Sequence, residues 1–395
     1  MAENSSTTTT APSKRVIVFA SQLLPSSETF IREQVRAMQQ WQPILVGERR
    51  AMNGLSLDGV DFRLLCPPEE GRFRRWAYVL CRLLHLPHPP SVRRLQALNA
   101  SLIHAHFGTA AVDIWPLARA LRLPMLVSLH GFDINIYPEW WESGKGGWRR
   151  RRYPRQLLQL AQESKVDFIA VSEAIRKRAI EYGIPANKIS VRYIGVDTGK
   201  FSLAGPAVSE REKRVLFVGR LVENKGVEYL IRAFVLVRKV IPNAELIIGG
   251  DGPQREQLTQ LTESLNLPVR FLGALTTNEV KNQLGKARVF CLPSVTISNG
   301  ASEGFGMVLL EAQASGLPVV TSAKGGAVEG IRDGETGYSF AEGDVQDLSE
   351  KLTALLTDDR LVDRFSWNAI VFVRRNFEII SLSRLLEKTY DTLAQ

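Results

Sequence analysis

The sequence predicts an α/β protein built from two successive parallel-sheet units of Rossmann-like type. Short β-branched runs alternate with amphipathic stretches from Arg15 onward, an order that builds parallel sheets with helices on both faces. The alternation pauses in a segment rich in Gly, Pro and charge, Tyr193 to Arg214, which reads as a linker, and then restarts. At 395 residues the chain exceeds one ordinary core, and two domains of roughly 180 to 200 residues follow.

The elements are read in chain order. RVIVFAS (Arg15 to Ser21) is a buried strand, and SETFIREQVRAMQQ behind it is a helix with Phe30, Val35 and Met38 near helical spacing. PILVGE, SLIHAHFG, MLVSLHG and DFIAVSE continue the strands, with helices such as TAAVDIWPLARAL and EAIRKRAIEYG between them. After the linker, VLFVGR opens a second series: AELIIGG, VRFLGAL, VFCLPS, PVVTS and GYSF. The C-terminal stretch from Leu361 carries apolar residues three and four apart and reads as helical. In open α/β sheets, ligands sit beyond the carboxyl ends of strands. Ser21, His130, Ser172, Arg220 and Glu303 all follow strands, which places them on one cleft between the two units.

Composition excludes several classes. Hydrophobic content of 45% belongs to a globular chain, not a disordered one. No run approaches the roughly 18 apolar residues of a spanning helix. The start, MAENSSTTTTAPSK, lacks the basic-then-apolar order of a secretory signal and reads as a disordered tail over residues 1–13. Cys66, Cys81 and Cys291 are scattered and odd in number, which argues for a reducing, cytoplasmic compartment. The five histidines lack zinc spacing, so no metal site is expected, although His104 and His106 share one strand face.

The net charge of +9 is clustered. Gly71 to Arg94 and Lys145 to Arg155 interleave Arg with Trp, Tyr and Leu. They read either as solvated basic faces or as contacts for an anionic membrane surface. No nucleic-acid-binding motif accompanies them, so nucleic acid is set aside.

The densest chemistry lies in SEGFGMVLLEAQASGLPVV, where Glu303 and Glu311 bracket a Gly-rich turn that opens a helix. Gly304 and Gly306 allow backbone conformations that bring a ligand close. The helix start aims unpaired N–H groups and its positive end at whatever precedes it, which suits phosphate. The carboxylates accept hydrogen bonds from hydroxyls, so the stretch describes a pocket for a sugar nucleotide. Arg220 follows VLFVG and Lys225 precedes Gly226 and a helix. Both can present charge to phosphate oxygens, or simply line a surface loop. GGDGP (Gly249 to Pro253) reads as a turn admitting a base or ribose, or as a plain tight turn. His130, in SLHGFDI, is placed either to hydrogen-bond a sugar or leaving group or to hold its own loop. Asp133 and SSETF (Ser26 to Phe30) read as caps, SSETF alternatively as cleft-facing, and GGAVEGIRDGETG as a loop–helix–turn without chemistry.

Together these residues resemble the retaining glycosyltransferases of family 4, with the GT-B fold. FVGRLVENKGVEYLIRAF, GGDGP, RFLGAL, SEGFGMVLLEAQASGLPVV and GGAVEGIRDGETGY carry the resemblance from Val215 to about Tyr338. LPSSETFI, IHAHFG, SLHGFDI, AVSEAI and YIGVDTGKF look like the branch that builds bacterial exopolysaccharides, including colanic-acid-type enzymes. The resemblance implies two facing Rossmann-like domains, at 14–200 and 201–379, with a C-terminal helix (380–395) crossing back to the first. It implies that Arg220 and Lys225 hold and stabilise the donor diphosphate, and that Glu303 and His130 contact the transferred sugar. Gly304, Phe305, Gly306, Met307 and Val308 would contact sugar and phosphate through their backbone, and Glu311 the ribose. Gly219 and Gly250 join as donor-side glycines.

The implied activity is metal-independent transfer of a hexose from a UDP- or GDP-sugar, as donor substrate and without a cofactor. The two Arg/aromatic segments, Gly71 to Arg94 and Lys145 to Arg155, motivate a lipid-linked glycan as the hydroxyl acceptor, with the enzyme peripheral at the inner face of the plasma membrane. One departure stands out: many members have a Gly-Gly turn after the first strand, where this chain has SQLLPSSETF. A sugar-nucleotide epimerase of the same architecture needs acid/base carboxylates in the cleft. A non-catalytic glycan- or nucleotide-binding partner subunit would be expected to lack Lys225 or Glu303, and both are present.

Overall fold

The computed structural model describes residues 14–25, 27–52, 54–203 and 205–395. The tail expected at residues 1–13, and Ser26 of SSETF, lie outside them.

The first sheet contains β1 (Lys14–Phe19), β2 (Trp41–Gly47), β3 (Phe62–Leu64), β4 (Leu102–His106), β5 (Met125–Leu129), β6 (Val166–Ala170) and β7 (Ile189–Val191). Their order is β3-β2-β1-β4-β5-β6-β7. β1 pairs in parallel with β2 and β4, with Val18 opposite both Leu45 and His104. The second sheet contains β8 (Arg214–Val218), β9 (Glu245–Gly249), β10 (Val269–Gly273), β11 (Val289–Leu292), β12 (Val319–Ser322) and β13 (Gly337–Phe340). Its order is β10-β9-β8-β11-β12-β13, parallel throughout. In both sheets the order turns back at the first strand, which is where ligand sites form in this class of sheet. The central strands are near-continuous apolar runs because helices cover both faces; Val16–Phe19 and Val215–Phe217 are fully buried. Helix Val227–Val240 shows the matching period, burying Val227, Leu230, Ile231, Phe234 and Val237.

Three features differ from the sequence expectation. The edge strands β3 and β7 are three residues each, too short for a periodic signal, and form because a neighbour offers a ladder. Helix Thr29–Ala37 starts after Glu28, whose side chain makes no cap hydrogen bond, so SSETF does not form a capping box there. The segment read as a linker is packed: Ile194, Val196, Phe201 and Val208 are buried. Val196 N–H donates to the Phe377 carbonyl at 2.8 Å, and Ile379 N–H donates to the Val196 carbonyl at 3.1 Å.

By packing, one unit comprises the chain up to Val127, Gln162–Asp167 and Ser383–Gln395; the other comprises Ser128–Ala161 and Phe168–Leu382. Helix Ile379–Leu393 brings the chain end back to the first strands. The Glu387 carboxylate, fully buried, accepts the N–H groups of Gln39, Gln40 and Trp41 at 2.9, 2.7 and 2.9 Å. Buried Tyr390 packs edge-on against Trp41 and brings its hydroxyl within 2.6 Å of His104 Nδ1. Among the described residues, no helix is long and apolar enough to cross a membrane.

Candidate active site

Apart from Ser21, the site residues named from the sequence fall in the second unit. Strand β8 ends at Val218, and Gly219 and Arg220 follow. Arg220 is exposed and makes no ion pair among the described residues. Lys225 closes a single 3-10 turn, Glu223–Lys225, immediately before Gly226 and helix Val227–Val240. This aims its ammonium at the Glu303 carboxylate: Lys225 Nζ lies 2.5 Å from Glu303 Oε2, with the side chains 20% and 12% exposed. The buried Ser294 hydroxyl donates to the same oxygen at 3.1 Å. Glu303 is therefore held by a cation and a hydroxyl together, a charge-assisted arrangement that is strong for its length.

Behind Glu303 the chain is clamped by its own backbone. Ser172 Oγ donates to the Gly304 carbonyl at 2.8 Å, and Gly326 N–H donates to the Glu303 carbonyl at 3.3 Å. A Cβ on Gly304 would stand 1.9 Å from the His130 carbonyl oxygen, and one on Gly326 would stand 1.8 Å from the Gly304 carbonyl oxygen. Close approach of protein backbone, not of a ligand, thus accounts for Gly304. Gly306 takes a left-handed conformation (φ +83°) and caps helix Met307–Ala314. Met307 and Val308 are half-buried in its first turn, and Glu311 is half-buried one turn further on. Phe305 turns inward, 4% exposed, with its ring 5.3 Å from Tyr193 and 5.5 Å from Phe377.

The loop of His130 is tied to the same turn. Asp133 accepts the N–H groups of His130 and Gly131 at 3.1 and 2.9 Å, so it reaches back from inside helix Phe132–Asn135 to hold the preceding loop and is not the helix cap read from the sequence. Asn135 Nδ2 donates to Ser302 Oγ at 2.9 Å, and Tyr137 N–H donates to the Asn299 carbonyl at 2.9 Å. On the other flank, Glu329 accepts the N–H groups of Glu173 and Ala174, both at 2.8 Å, at the start of helix Glu173–Tyr182. It also accepts the Tyr193 hydroxyl at 3.0 Å. Burial, reinforced by the Glu329 charge, pushes the Tyr193 phenol up to about 12.

The structure therefore joins Lys225, Glu303, Gly304, Ser172 and the His130 loop. His130 sits with Glu303 in one unit, although its strand, β5, belongs to the first sheet. Ser21 lies in the other unit. Gly250 makes room for Gly219: a Cβ on Gly250 would stand 1.8 Å from the Gly219 carbonyl oxygen, so tight packing explains a glycine there in the GGDGP turn. Ser294, Asn135 and Glu329 were not singled out from the sequence. Ser294 carried a usable signal, a small polar residue just past strand β11. Glu329 carried none, because GGAVEG shows no chemistry until it meets the start of a distant helix. Among the described residues, no group of three or more His, Cys, Asp or Glu side chains converges as a metal site.

Comparison with known proteins places the chain in a family. Residues 28–200 match the family described as Glycosyltransferase Family 4, and residues 202–371 match the one described as Glycosyl transferases group 1. The amylovoran biosynthesis glycosyltransferase AmsK of Erwinia amylovora is 30% identical over 264 residues, 66% of this chain and 61% of that protein's own length. The putative colanic acid biosynthesis glycosyltransferase WcaL of Escherichia coli (strain K12) is 30% identical over 260 residues, 65% of this chain and 61% of that one. A GDP-mannose-dependent alpha-(1-6)-phosphatidylinositol monomannoside mannosyltransferase of Mycobacterium tuberculosis is 30% identical over 295 residues, 70% of this chain and 73% of that one. The crystal structure of Anabaena Alr3699/HepE in complex with UDP and glucose aligns with a TM-score of 0.77 at 21% identity, covering 95% of this chain and 99% of that one. With both halves matched in order and the GT-B architecture shared, the chain belongs to glycosyltransferase family 4.

Proposed function

We propose that the chain is a retaining, metal-independent glycosyltransferase. It moves a hexose from a UDP- or GDP-sugar to a hydroxyl of a lipid-linked glycan during polysaccharide synthesis at the inner membrane face. The observation that carries this reading is the Lys225–Glu303 pair at the mouth of the second sheet, with Arg220 exposed on the preceding loop. A cation and a carboxylate in contact match a ligand whose phosphate and sugar hydroxyls are adjacent. The names of the relatives agree: one is GDP-mannose-dependent, two belong to exopolysaccharide synthesis, and the HepE structure holds UDP and glucose.

In this reading the bond between the anomeric carbon and the diphosphate oxygen breaks, leaving negative charge on the diphosphate. Lys225, Arg220 and the first-turn N–H groups of helix Met307–Ala314 offset that charge. Glu303 orients hydroxyls of the sugar, Glu311 those of the ribose, and His130 approaches the sugar from its tied loop. Lys225 and Ser294 both hold Glu303 Oε2, which fixes the carboxylate to orient hydroxyls, and this reading assigns it no attack on carbon. No hydrolase-type carboxylate pair is therefore invoked. The acceptor hydroxyl attacks from the face the diphosphate leaves, and its proton passes to the leaving phosphate.

The test is incubation with a panel of UDP- and GDP-hexoses in EDTA, following release of free nucleotide. Release from one donor supports the reading, and product NMR reports the anomeric configuration. An epimerised sugar nucleotide, or no release from any donor, would overturn it.

A further inference from the structure

We propose that helix Arg72–Leu83 docks the protein onto an anionic lipid bilayer through an apolar ridge with arginines at one end. This deepens the lipid-linked acceptor reading by naming the element that meets the membrane, yet it does not depend on the donor chemistry. None of the helix's 12 residues is buried. Phe73, Trp76, Leu80 and Leu83 are 78%, 62%, 38% and 38% exposed. Their steps of three, four and three residues align them on one face. Val79 flanks the ridge, and exposed Leu84 and Leu86 continue the apolar surface past the helix end.

The opposite face is the one that grips the protein, and it does so with polar groups. Tyr78 donates to Glu48 at 3.0 Å, and Arg82 pairs with both Glu48 and Asp113. An amphipathic helix on a globular domain ordinarily turns its apolar face inward. Here the hold is polar and the apolar face is outward, an arrangement that marks an interaction surface.

Charge identifies the partner. Arg72, Arg74 and Arg75 are exposed and make no ion pair among the described residues, whereas Arg82 and Arg94 are paired with carboxylates. Cations in the first turn oppose the helix dipole; Arg74 acts on the Glu70 carboxylate from beyond ion-pair distance, and the rest of the cluster's charge suits an external anion. Trp, Leu and Arg on one helix suit the headgroup boundary of an anionic leaflet. A second copy meeting this ridge face to face would set arginine against arginine. The other basic stretch, Lys145–Arg155, exposes Trp148 but buries Tyr153 and presents no ridge.

The experiment is flotation of the full chain with vesicles of phosphatidylcholine alone or mixed with phosphatidylglycerol. Wild type should co-float with the anionic vesicles at least about tenfold more than with the neutral ones. The triple variant Phe73→Ser/Trp76→Ser/Leu80→Ser should fall to the neutral background, with its melting temperature and nucleotide release unchanged. Arg72→Gln/Arg74→Gln/Arg75→Gln should erase the preference for anionic lipid. Equal flotation of wild type and triple variant would overturn the proposal. So would light scattering that shows a dimer dissolved by the triple variant while neither protein binds vesicles. Nucleotide release, read in parallel, separates failure here from failure of the transferase reading.

Discussion

Lys225 Nζ stands 2.5 Å from Glu303 Oε2, and the Ser294 hydroxyl lies on the same oxygen at 3.1 Å. Residues proposed to meet opposite parts of a donor, its diphosphate and its sugar, are thus direct neighbours. The contact couples the two side chains energetically.

Lys225→Ala and Arg220→Ala should each lower transfer by about 10²–10³-fold, the scale of losing one preorganised charge stabiliser. They should differ in stability. Arg220 makes no ion pair among the described residues, so its variant should melt like wild type. Lys225→Ala leaves Glu303 with the Ser294 hydroxyl and should melt lower, by about 1–3 kcal/mol in denaturant. Near-normal turnover in either variant would remove that residue from the chemistry and sink the diphosphate assignment made for the pair.

Gly304→Ala places a methyl 1.9 Å from the His130 carbonyl oxygen. Because the obstacle is backbone, either the turn or the His130 loop must move, at a cost of about 3 kcal/mol. Donor affinity, read by calorimetry with the UDP- or GDP-hexose that the protein turns over, should weaken at least about tenfold through misplacement of Glu303. Unchanged affinity together with unchanged stability would contradict the clamp.

Glu387→Ala removes a buried acceptor that serves three backbone N–H groups. The orphaned amides of Gln39, Gln40 and Trp41 should cost about 3 kcal/mol. Their hydrogen exchange should accelerate ahead of the rest of the chain. Exchange that stays at the wild-type rate would show that Glu387 does not hold the C-terminal helix.

Glu28 gives a pH dependence. Burial lifts its carboxyl from 4.5 to about 7, and its Oε2 has no hydrogen-bond partner among the described residues. A raised carboxyl pKa favours the protonated form in the fold. Its stability contribution is therefore full below about pH 4.5 and lost as pH rises through about 7. Glu28→Gln should remove roughly 3 kcal/mol of that slope and leave the variant more stable than wild type at pH 8. Parallel stability profiles across pH 4 to 8 would rule this out.

Legibility from sequence tracked the range over which each signal is encoded. The central strands, helix Val227–Val240 and the Glu303 turn were readable because period and composition lie within a few residues. Strands β3 and β7 were not, since three residues carry no period. The stretch from Tyr193 to Arg214 looked like a linker by its Gly, Pro and charge, yet Val196 and Phe201 are core residues. Composition marks where a chain turns, not whether the turning segment is then covered.

By itself, then, the sequence determined the succession of strands and helices, the family, and which charged groups follow which strands. Tertiary structure alone decided that Lys225 grips Glu303, that Gly304 is shaped by the His130 carbonyl, and that Glu329 caps a distant helix. It also decided which of the two basic stretches shows an apolar ridge. The physical reason is that propensity and periodicity act through neighbours along the chain. Contacts between separated segments depend instead on sheet order and register, which are settled only when the whole core packs.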